Sequence, residues 1–468
     1  MTHRRARAAV VLALTATAGI VSIAATGRAQ PRPESGAEAE PKHPAPADSE
    51  AARSGEGSSS EKPAAEGAKP SSGDKDSKGK GKDGKAGAAD AKDKEGADKA
   101  AASTEPSLQE LVKFKLGPIT LVPLALVSVQ VLPYIGKDAL VQAGDVAERP
   151  GFRLREARVG LGGSYEDYMR FAVSMQLSAD GDGAKVTVHD AWAGYTQWSF
   201  LRAFAGALAV PFSRSGLVGT GYGALIERPL AVTAMAPFHQ VGVALDGEVG
   251  DGALGYTGGI FNGLERSDRF YEGYVENYAP FGNRFDGLTY AIRLRSEPLG
   301  RLGPTIADEK HSDFCFGVGA SYFFSDGGTR HVHSAGGDAL MHVEGFHLLA
   351  EVLWSLTKPE EEPTQPTNGV EQVKALAFVA ETGYMILKDA LGVNARFEYI
   401  NPNNNVSDES DNWLITAGAG YQLFDRLLKI QADYTHREEM NGLSLANDSA
   451  LLQFQFQLDT FKSGEERL

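Results

Sequence analysis

The sequence predicts an all-β protein, a transmembrane antiparallel β-barrel of about sixteen strands preceded by a disordered N-terminal segment. Three observations support this fold class. Apolar and polar residues alternate from about residue 116 to the C-terminus. The connections between these alternating stretches are by turns long and short. Residues 30–110 are almost free of aromatic and large aliphatic side chains, so they cannot form a core.

The first 29 residues have the composition of a secretory signal peptide. Arg4, Arg5 and Arg7 form a basic region, and an uncharged run of small apolar residues extends from Ala8 to Ala25. Small residues at Gly27 and Ala29 predict cleavage near Ala29. The alternative is a membrane anchor. The small residues at the end of the apolar run and the polar sequence that follows them favour the signal peptide.

Residues 30–110 predict a low-complexity periplasmic tether rich in Ala, Lys, Glu, Gly and Pro. The first 110 residues carry 17 basic and 17 acidic side chains, whereas residues 111–468 carry 29 and 44, so the net charge of −15 belongs to the second part. The tether can touch the cell wall. Because acidic residues are interleaved with its lysines, we expect no nucleic-acid partner.

The stretch Tyr168–Ser178, YMRFAVSMQLS, illustrates the alternation from which the barrel is inferred. Its apolar face points inward in a soluble sandwich, or outward to lipid in an outer-membrane barrel. About 350 residues with sixteen such strands exceed what a sandwich accommodates. Residues 111–468 therefore predict a barrel with lipid outside and water inside.

The connections indicate the sidedness of this barrel. Those after even-numbered strands are mostly tight, as in GSYED, TQWS, EG, LKDA and FDR. Those after odd-numbered strands are mostly long, namely 136–151, 212–237, 262–287, 325–338, 357–373, 401–411 and 436–448. This asymmetry predicts both termini on the short-turn side. The connection 297–313 breaks the pattern and suggests that one strand boundary there is wrong.

Motifs for catalysis or cofactor binding are not found in the sequence. It lacks a GxSxG elbow, HExxH, CxxC and a P-loop, and Cys315 lies within a strand pattern. His331 and His333 fall in a predicted loop, with His342 and His347 beyond, and a solvated loop is favoured over a metal site. We expect no cofactor, no metal and no enzymatic activity.

Residues 152–295 resemble the phosphate-selective porin O/P family. The matching pieces include FRLREARVGLGGSYEDYMRFAVSMQL, VTVHDAWAGYT, LIERPLAVTAMAP and YAIRLRSEPLG, in order and spacing. The resemblance implies a sixteen-stranded outer-membrane channel, often a trimer, whose third long loop folds into the lumen and narrows the pore. In this chain that loop is Ser213–Pro237, and it carries Arg214, Glu227 and Arg228. These three charges either select among solutes or hold the loop to the wall.

Strand parity predicts further lumen-facing residues, because charged side chains are costly on the lipid face. They are Glu156, Arg158, Arg170, Arg293, Arg295, Arg396, Glu398 and Lys429. The strand that enters the loop reads GALAVPFS, so Ala207 and Ala209 stand where phosphate-selective members resemble GQFKVPFG. This departure puts phosphate selectivity in doubt.

Together these features predict an outer-membrane porin of a Gram-negative bacterium for passive diffusion of small hydrophilic solutes. We expect weak anion selectivity, with phosphate and other oxyanions among the candidate solutes, and contacts with lipid and with two further copies of the chain. Two alternatives stay open, a structural or adhesive barrel and a barrel enzyme.

Overall fold

The computed structural model describes residues 113–136, 150–166, 168–180, 183–250, 252–267, 270–275, 287–326, 330–359, 372–408, 410–424, 426–442 and 444–459. The predicted signal peptide, its cleavage near Ala29 and the tether lie outside the described residues.

Sixteen antiparallel strands form the barrel in the described chain. They are β1 (Ile119–Ile135), β2 (Gly151–Tyr165), β3 (Met169–Asp180), β4 (Gly183–Trp198), β5 (Leu201–Ala209), β6 (His239–Val249), β7 (Leu254–Asn262), β8 (Leu288–Leu299), β9 (Cys315–Asp326), β10 (Arg330–Val343), β11 (Phe346–Pro359), β12 (Val373–Leu387), β13 (Leu391–Asn401), β14 (Asn412–Leu423), β15 (Leu428–Glu439) and β16 (Ser449–Asp459). A short strand, Phe114–Leu116, forms a hairpin with β1.

Each barrel strand pairs with its neighbours in sequence, and β16 pairs with β1 to close the sheet. Closure leaves no free sheet edge, as a structure surrounded by lipid requires. The predicted class, an all-β antiparallel barrel of about sixteen strands, is confirmed. The predicted turn at Glu344 and Gly345 is also present, and both residues have the positive φ typical of a two-residue hairpin.

Side chains alternate between a buried inner face and an exposed apolar outer face. On β13, Val393 and Phe397 are 42% and 40% exposed, whereas the intervening Arg396 is 5% exposed. On β3, Val173 and Met175 are exposed on either side of the buried Ser174. Apolar side chains thus point outward and polar side chains inward, so the apolar face of YMRFAVSMQLS is the outer one.

Most predicted connections agree with the structure within a few residues, but two predictions were wrong. The predicted loop 325–338 is largely strand, because β9 extends to Asp326 and β10 begins at Arg330. His331 and His333 therefore lie on β10, in a stretch whose small residues Ala335, Gly336 and Gly337 were mistaken for a loop. The connection after β8 is long, at residues 300–314, so its length reflects a real loop at the short-turn end and no misplaced boundary.

In the part of the chain that the structure describes, helical structure occurs only in loops. The connection from β5 to β6, residues 210–238, contains α1 (Arg214–Leu217), a 3₁₀ turn (Thr220–Tyr222) and α2 (Leu230–Met235). Among the described residues, none of the helices is long and apolar enough to cross a membrane.

Candidate functional site: a loop-constricted lumen

Residues 210–238, here called the constriction loop, fold into the barrel. Ser213, which precedes α1, accepts a hydrogen bond on Oγ from the backbone N–H of Gly216 at 2.9 Å. Phe212 packs edge-to-face against Phe323 of β9 with ring centroids 4.9 Å apart. Ala231, Val232, Ala234 and Met235 of α2 are almost completely buried. Inward side chains of β5–β14 pack around the buried residues of this helix.

Three inward acids of the opposite wall accept hydrogen bonds from the backbone of the loop. Glu351 on β11 accepts from the N–H of Arg214 at 2.8 Å and from Ser215 Oγ at 2.7 Å. Glu398 on β13 accepts from the N–H of Ala231 at 3.0 Å. Asp433 on β15 accepts from the N–H of Ile226 at 2.5 Å. These carboxylates satisfy buried donors that the irregular loop backbone cannot pair internally.

Inward donors on neighbouring strands bind the carbonyl groups of the same loop. Arg396 donates to the carbonyl of Glu227 at 3.0 Å and pairs with Glu398 at 2.8 Å. Lys429 donates to the carbonyl of Gly223 at 2.5 Å. The predicted lumen residues Arg396, Glu398 and Lys429 thus lie on the inner face, but they are covered by the loop and hold it in place.

Glu227 connects the loop to β1 and β2. Its carboxylate accepts from Arg153 at 2.9 Å, from Arg155 at 3.1 Å and from the amide of Gln130 at 2.9 Å. Burial disfavours the charged form, but Arg155, Arg153 and the Gln130 hydrogen bond outweigh it and lower the pKa of Glu227 from 4.5 to about 2. A carboxylate held by two guanidinium groups stays ionised, so this loop contact persists over a wide pH range.

Asp338 on β10 joins the other end of the loop to the wall. It is 2.6 Å from Nε of Arg214 and 2.6 Å from a guanidinium nitrogen of Arg293, which lies on β8. Asp338 is nearly inaccessible to solvent. The predicted pore charges Arg214 and Arg293 are therefore brought together, and one buried carboxylate neutralises part of their charge.

A cavity of about 130 Å³ lies between the constriction loop and the wall. Its charged lining is three arginines and three glutamates: Arg155, Arg228, Arg396, Glu156, Glu227 and Glu381. Solvent reaches them unequally, since the side chain of Arg155 is 30% exposed and that of Glu227 is 18% exposed, whereas Glu381 is 2% exposed. Among these side chains, Arg155 is more exposed than Glu227 and Glu381.

A family model described as phosphate-selective porin O and P matches residues 137–459, more than half of the chain. The chain belongs to this family. No curated protein sequence matches it.

Three solved structures resemble this porin. The outer membrane channel DcaP of Acinetobacter baumannii aligns over 74% of this chain and 100% of its own, with 10% identity and a TM-score of 0.51. OmpT of Vibrio cholerae covers 74% of this chain and 99% of its own, with 11% identity and a TM-score of 0.49. An anion-selective porin from Comamonas acidovorans covers 72% and 99%, with 10% identity and a TM-score of 0.49. At 10% identity the likeness to DcaP shows the fold alone. Family and fold together place the porin in the outer membrane as a channel.

A second loop enters this porin from the short-turn end. Residues 300–314 bury Ile306 and Ala307 against side chains of the wall and of the constriction loop. Asp308, which is almost fully buried, accepts from the N–H of Ser312 at 2.9 Å and from that of Gly345 at 2.7 Å. Glu309 pairs with Arg426 and accepts from Gln422 at 2.9 Å. Two loops thus meet inside the barrel from opposite ends.

Other predicted lumen residues occupy varied positions. Arg158 on β2 pairs with Glu156 at 3.3 Å, and Arg295 on β8 pairs with Glu248. Arg228 donates to the carbonyl of Val218 at 2.8 Å and its guanidinium lies 4.8 Å from the ring centroid of Phe238. Arg170 lies on β3 opposite Ser164 and Gly194, toward the short-turn end. The channel-lining role of these residues stays a prediction.

Ala207 and Ala209 differ from the other predicted lumen residues. Along β5, Phe204 and Leu208 enter the buried cluster around the constriction loop. Ala207 and Ala209 alternate with them and pair with Val241 and His239. Ala207 and Leu208 are consecutive and both buried, and Gly206 before them has a positive φ, so the alternation of β5 is interrupted here. The lumen-facing assignment of Ala207 and Ala209 stays a prediction.

Sequence reasoning missed several residues that shape the site. Arg153 and Arg155 were not selected, because a β-bulge between Ser128 and Val129 of β1 shifts the register of β2 at this point. Asp338 was assigned to a loop. Glu351 carries no sequence signal that would distinguish a loop anchor from any inward polar residue.

Proposed function

We propose that this porin mediates passive diffusion of small hydrophilic solutes with a weak preference for anions and without a saturable phosphate site. The observation that carries the proposal is the unequal exposure of charge around the cavity. Arg155 is 30% exposed, whereas the cavity acids Glu227, Glu156 and Glu381 are 18%, 9% and 2% exposed. An ion in a narrow passage responds most to charges that share its solvent, because screening is strong beyond ~8–10 Å.

A saturable phosphate site would need several cationic donors that converge on one anion. Arg396 donates to the loop carbonyl of Glu227 and pairs with two glutamates, and Lys429 donates to the carbonyl of Gly223. Arg153 and Arg155 share the carboxylate of Glu227. Because these cationic groups are already paired, they favour general diffusion over phosphate capture. They also favour a channel without a catalytic step.

Reversal potentials in planar bilayers with asymmetric KCl test this proposal. The wild-type porin should be weakly anion-selective, and phosphate flux should rise linearly with concentration. Replacing both Arg153 and Arg155 with Gln should abolish or reverse the preference. The matched control Arg330→Gln, at an exposed position where β10 begins, should leave it unchanged. A cation-selective wild type, or phosphate flux that saturates, would overturn the proposal.

The homotrimer implied by the family resemblance is part of the same proposal. Native electrophoresis of the unheated, detergent-extracted porin should give a species of three chains. A monomer under the same conditions would remove this part and leave the conduction proposal intact.

A further inference from the structure

Two histidines and an aspartate meet where the constriction loop joins the barrel wall. His189 and Asp190 lie on β4, and His239 is the first residue of β6. Their nitrogen and oxygen ligand atoms all lie within 4.8 Å of one another. Nε2 of His239 is 3.4 Å from Oδ1 of Asp190, and the two imidazole ring centroids are 4.3 Å apart.

The local backbone explains how residues fifty positions apart come together. The register between β3 and β4 shifts from Ser174–Asp190 to Met175–Val188, so His189 is the extra residue of a β-bulge. A bulge disrupts alternation and redirects side chains. Between β4 and β6, β5 contributes Ala209, which pairs with His239. The methyl group of Ala209 is small, so side chains of β4 and β6 can contact each other across β5.

The carboxylate of Asp190 is oriented by a neighbouring donor. Ser174 Oγ donates to Oδ2 of Asp190 at 2.7 Å, and the backbone N–H of Asp190 donates to Ser174 Oγ at 3.2 Å. This leaves Oδ1 directed toward His239. Hydrogen bonds of this kind hold ligating carboxylates in place in metal sites.

Asp190 and Ser174 also line a cavity of about 30 Å³, beside residues 219–222 of the constriction loop. That volume suits one water molecule. Arg158 lines the same cavity and opposes a cation there, but it pairs with Glu156 at 3.3 Å. Of the cluster, Asp190 lines this cavity, so the cavity borders the site on its Asp190 side.

We propose that His189, Asp190 and His239 bind a divalent transition-metal ion of the zinc class, with water completing the coordination. Two imidazoles and one carboxylate suit such ions far better than Mg²⁺ or Ca²⁺, which prefer oxygen ligands. Ligand atoms around tetrahedral zinc are about 3.3 Å apart, so side-chain movements of about 1.5 Å close the present arrangement. A bound ion would tie β4 to the start of β6 at the root of the loop. This inference is independent of ion selectivity.

Isothermal titration of the purified, detergent-solubilised porin with ZnCl₂ tests the site. The wild type should bind one ion per chain with saturation, and Co²⁺ should give the visible absorption of a nitrogen–oxygen site. His189→Ala, His239→Ala and Asp190→Asn should each raise the Kd at least tenfold, and Ser174→Ala should raise it about 10- to 100-fold. Ala209→Lys keeps all three ligands but adds a positive charge beside His239, so it should also abolish binding.

The matched control is His331→Ala. His331 lies 3.6 Å from Asp326 in a histidine–aspartate pair to which the described part of the chain adds no third ligand. This variant should bind Zn²⁺ as the wild type does. Heat-modifiable mobility on gels identifies variants that fail to form the barrel. The proposal is wrong if the wild type shows no saturable binding up to about 1 mM Zn²⁺, since that affinity would be weaker than that of structural or catalytic zinc sites. It is also wrong if folded His239→Ala and Asp190→Asn bind Zn²⁺ with the wild-type Kd.

Discussion

Neutralising Glu227 should make the porin more selective for anions. This carboxylate lies on the cavity wall, where it faces Arg153 and Arg155 and is 18% exposed. Glu227→Gln removes one of the three negative charges in the cavity lining and leaves its three arginines. The amide oxygen still accepts a hydrogen bond, and the loop stays attached through Glu351 and Glu398. The change is therefore mainly one of charge.

The size of the effect follows from Coulomb's law. For an ion about 7 Å from the carboxylate, the interaction is about 0.6 kcal/mol in water, and salt at about 0.1 M halves it. Because anions gain this energy and cations lose it, the anion-to-cation permeability ratio should rise about threefold. In a tenfold KCl gradient this corresponds to a change in reversal potential of about 20 mV.

The assay compares reversal potentials of wild type, Glu227→Gln and a control in planar bilayers. Glu166→Gln is the matched control, since Glu166 is an exposed residue in the short turn after β2. It should shift the reversal potential by only a few millivolts. A Glu227→Gln channel that is unchanged, or that moves toward cations, would refute the argument that exposed charge at the cavity governs selectivity.

Three further predictions follow from the loops. Because the pKa of Glu227 is lowered from 4.5 to about 2, its contacts should be intact above about pH 4.5 and lost as the pH falls through about 2. The difference in reversal potential between wild type and Glu227→Gln should therefore be constant from pH 7 to pH 5. Loss of this difference between pH 7 and pH 5 would contradict the assigned contacts. Asp308→Ala removes a buried acceptor of two backbone N–H groups, which costs about 1–3 kcal/mol of stability in the loop 300–314. This variant should raise single-channel conductance and noise, whereas the control Asp313→Ala, at a nearby exposed position, should not. Identical single-channel recordings from the two variants would show that residues 300–314 do not obstruct the lumen. In a Cys315→Ala background, a cysteine at the exposed Asn404 should react with an impermeant thiol reagent on intact cells and one at Asp389 should not, and the opposite labelling would reverse the assigned topology.

The fold was largely predictable from the sequence, because alternation and turn composition are local signals. Lipid requires every second residue of a strand to be apolar, and the exposed Val393 and Phe397 follow this rule. The wrong prediction of a loop at 325–338 also came from a local signal, the composition of the sequence there. Small residues such as Ala335, Gly336 and Gly337 resemble a turn in sequence. At Gly336 the reason is crowding, because an added Cβ would lie 3.0–3.4 Å from Ser321, Leu353 and Phe212.

The site was less predictable, because its contacts join residues far apart in sequence. The charges Arg214, Glu227 and Arg228 were found from the family pattern, but their partners on β2 and β10 were not. Pairing such as that of Glu227 with Arg153 depends on the path of an irregular loop and on a bulge, and neither has a sequence signal. The cluster of His189, Asp190 and His239 was missed for the same reason, as its spacing matches no metal-binding motif.

The net charge of the barrel region and its selectivity need not agree in sign, because many of its acids are engaged with the loop. Glu351, Glu398 and Asp433 are buried and accept hydrogen bonds from loop N–H groups, so their charge is compensated locally. At the cavity, the side chain of Arg155 is more exposed than that of Glu227. The formal excess of 15 negative charges therefore includes acids that hold the loop in place, and it does not by itself give the sign of the pore's selectivity. We expect a passing ion to respond to exposed charge within a screening length, and at the cavity Arg155 is more exposed than Glu227.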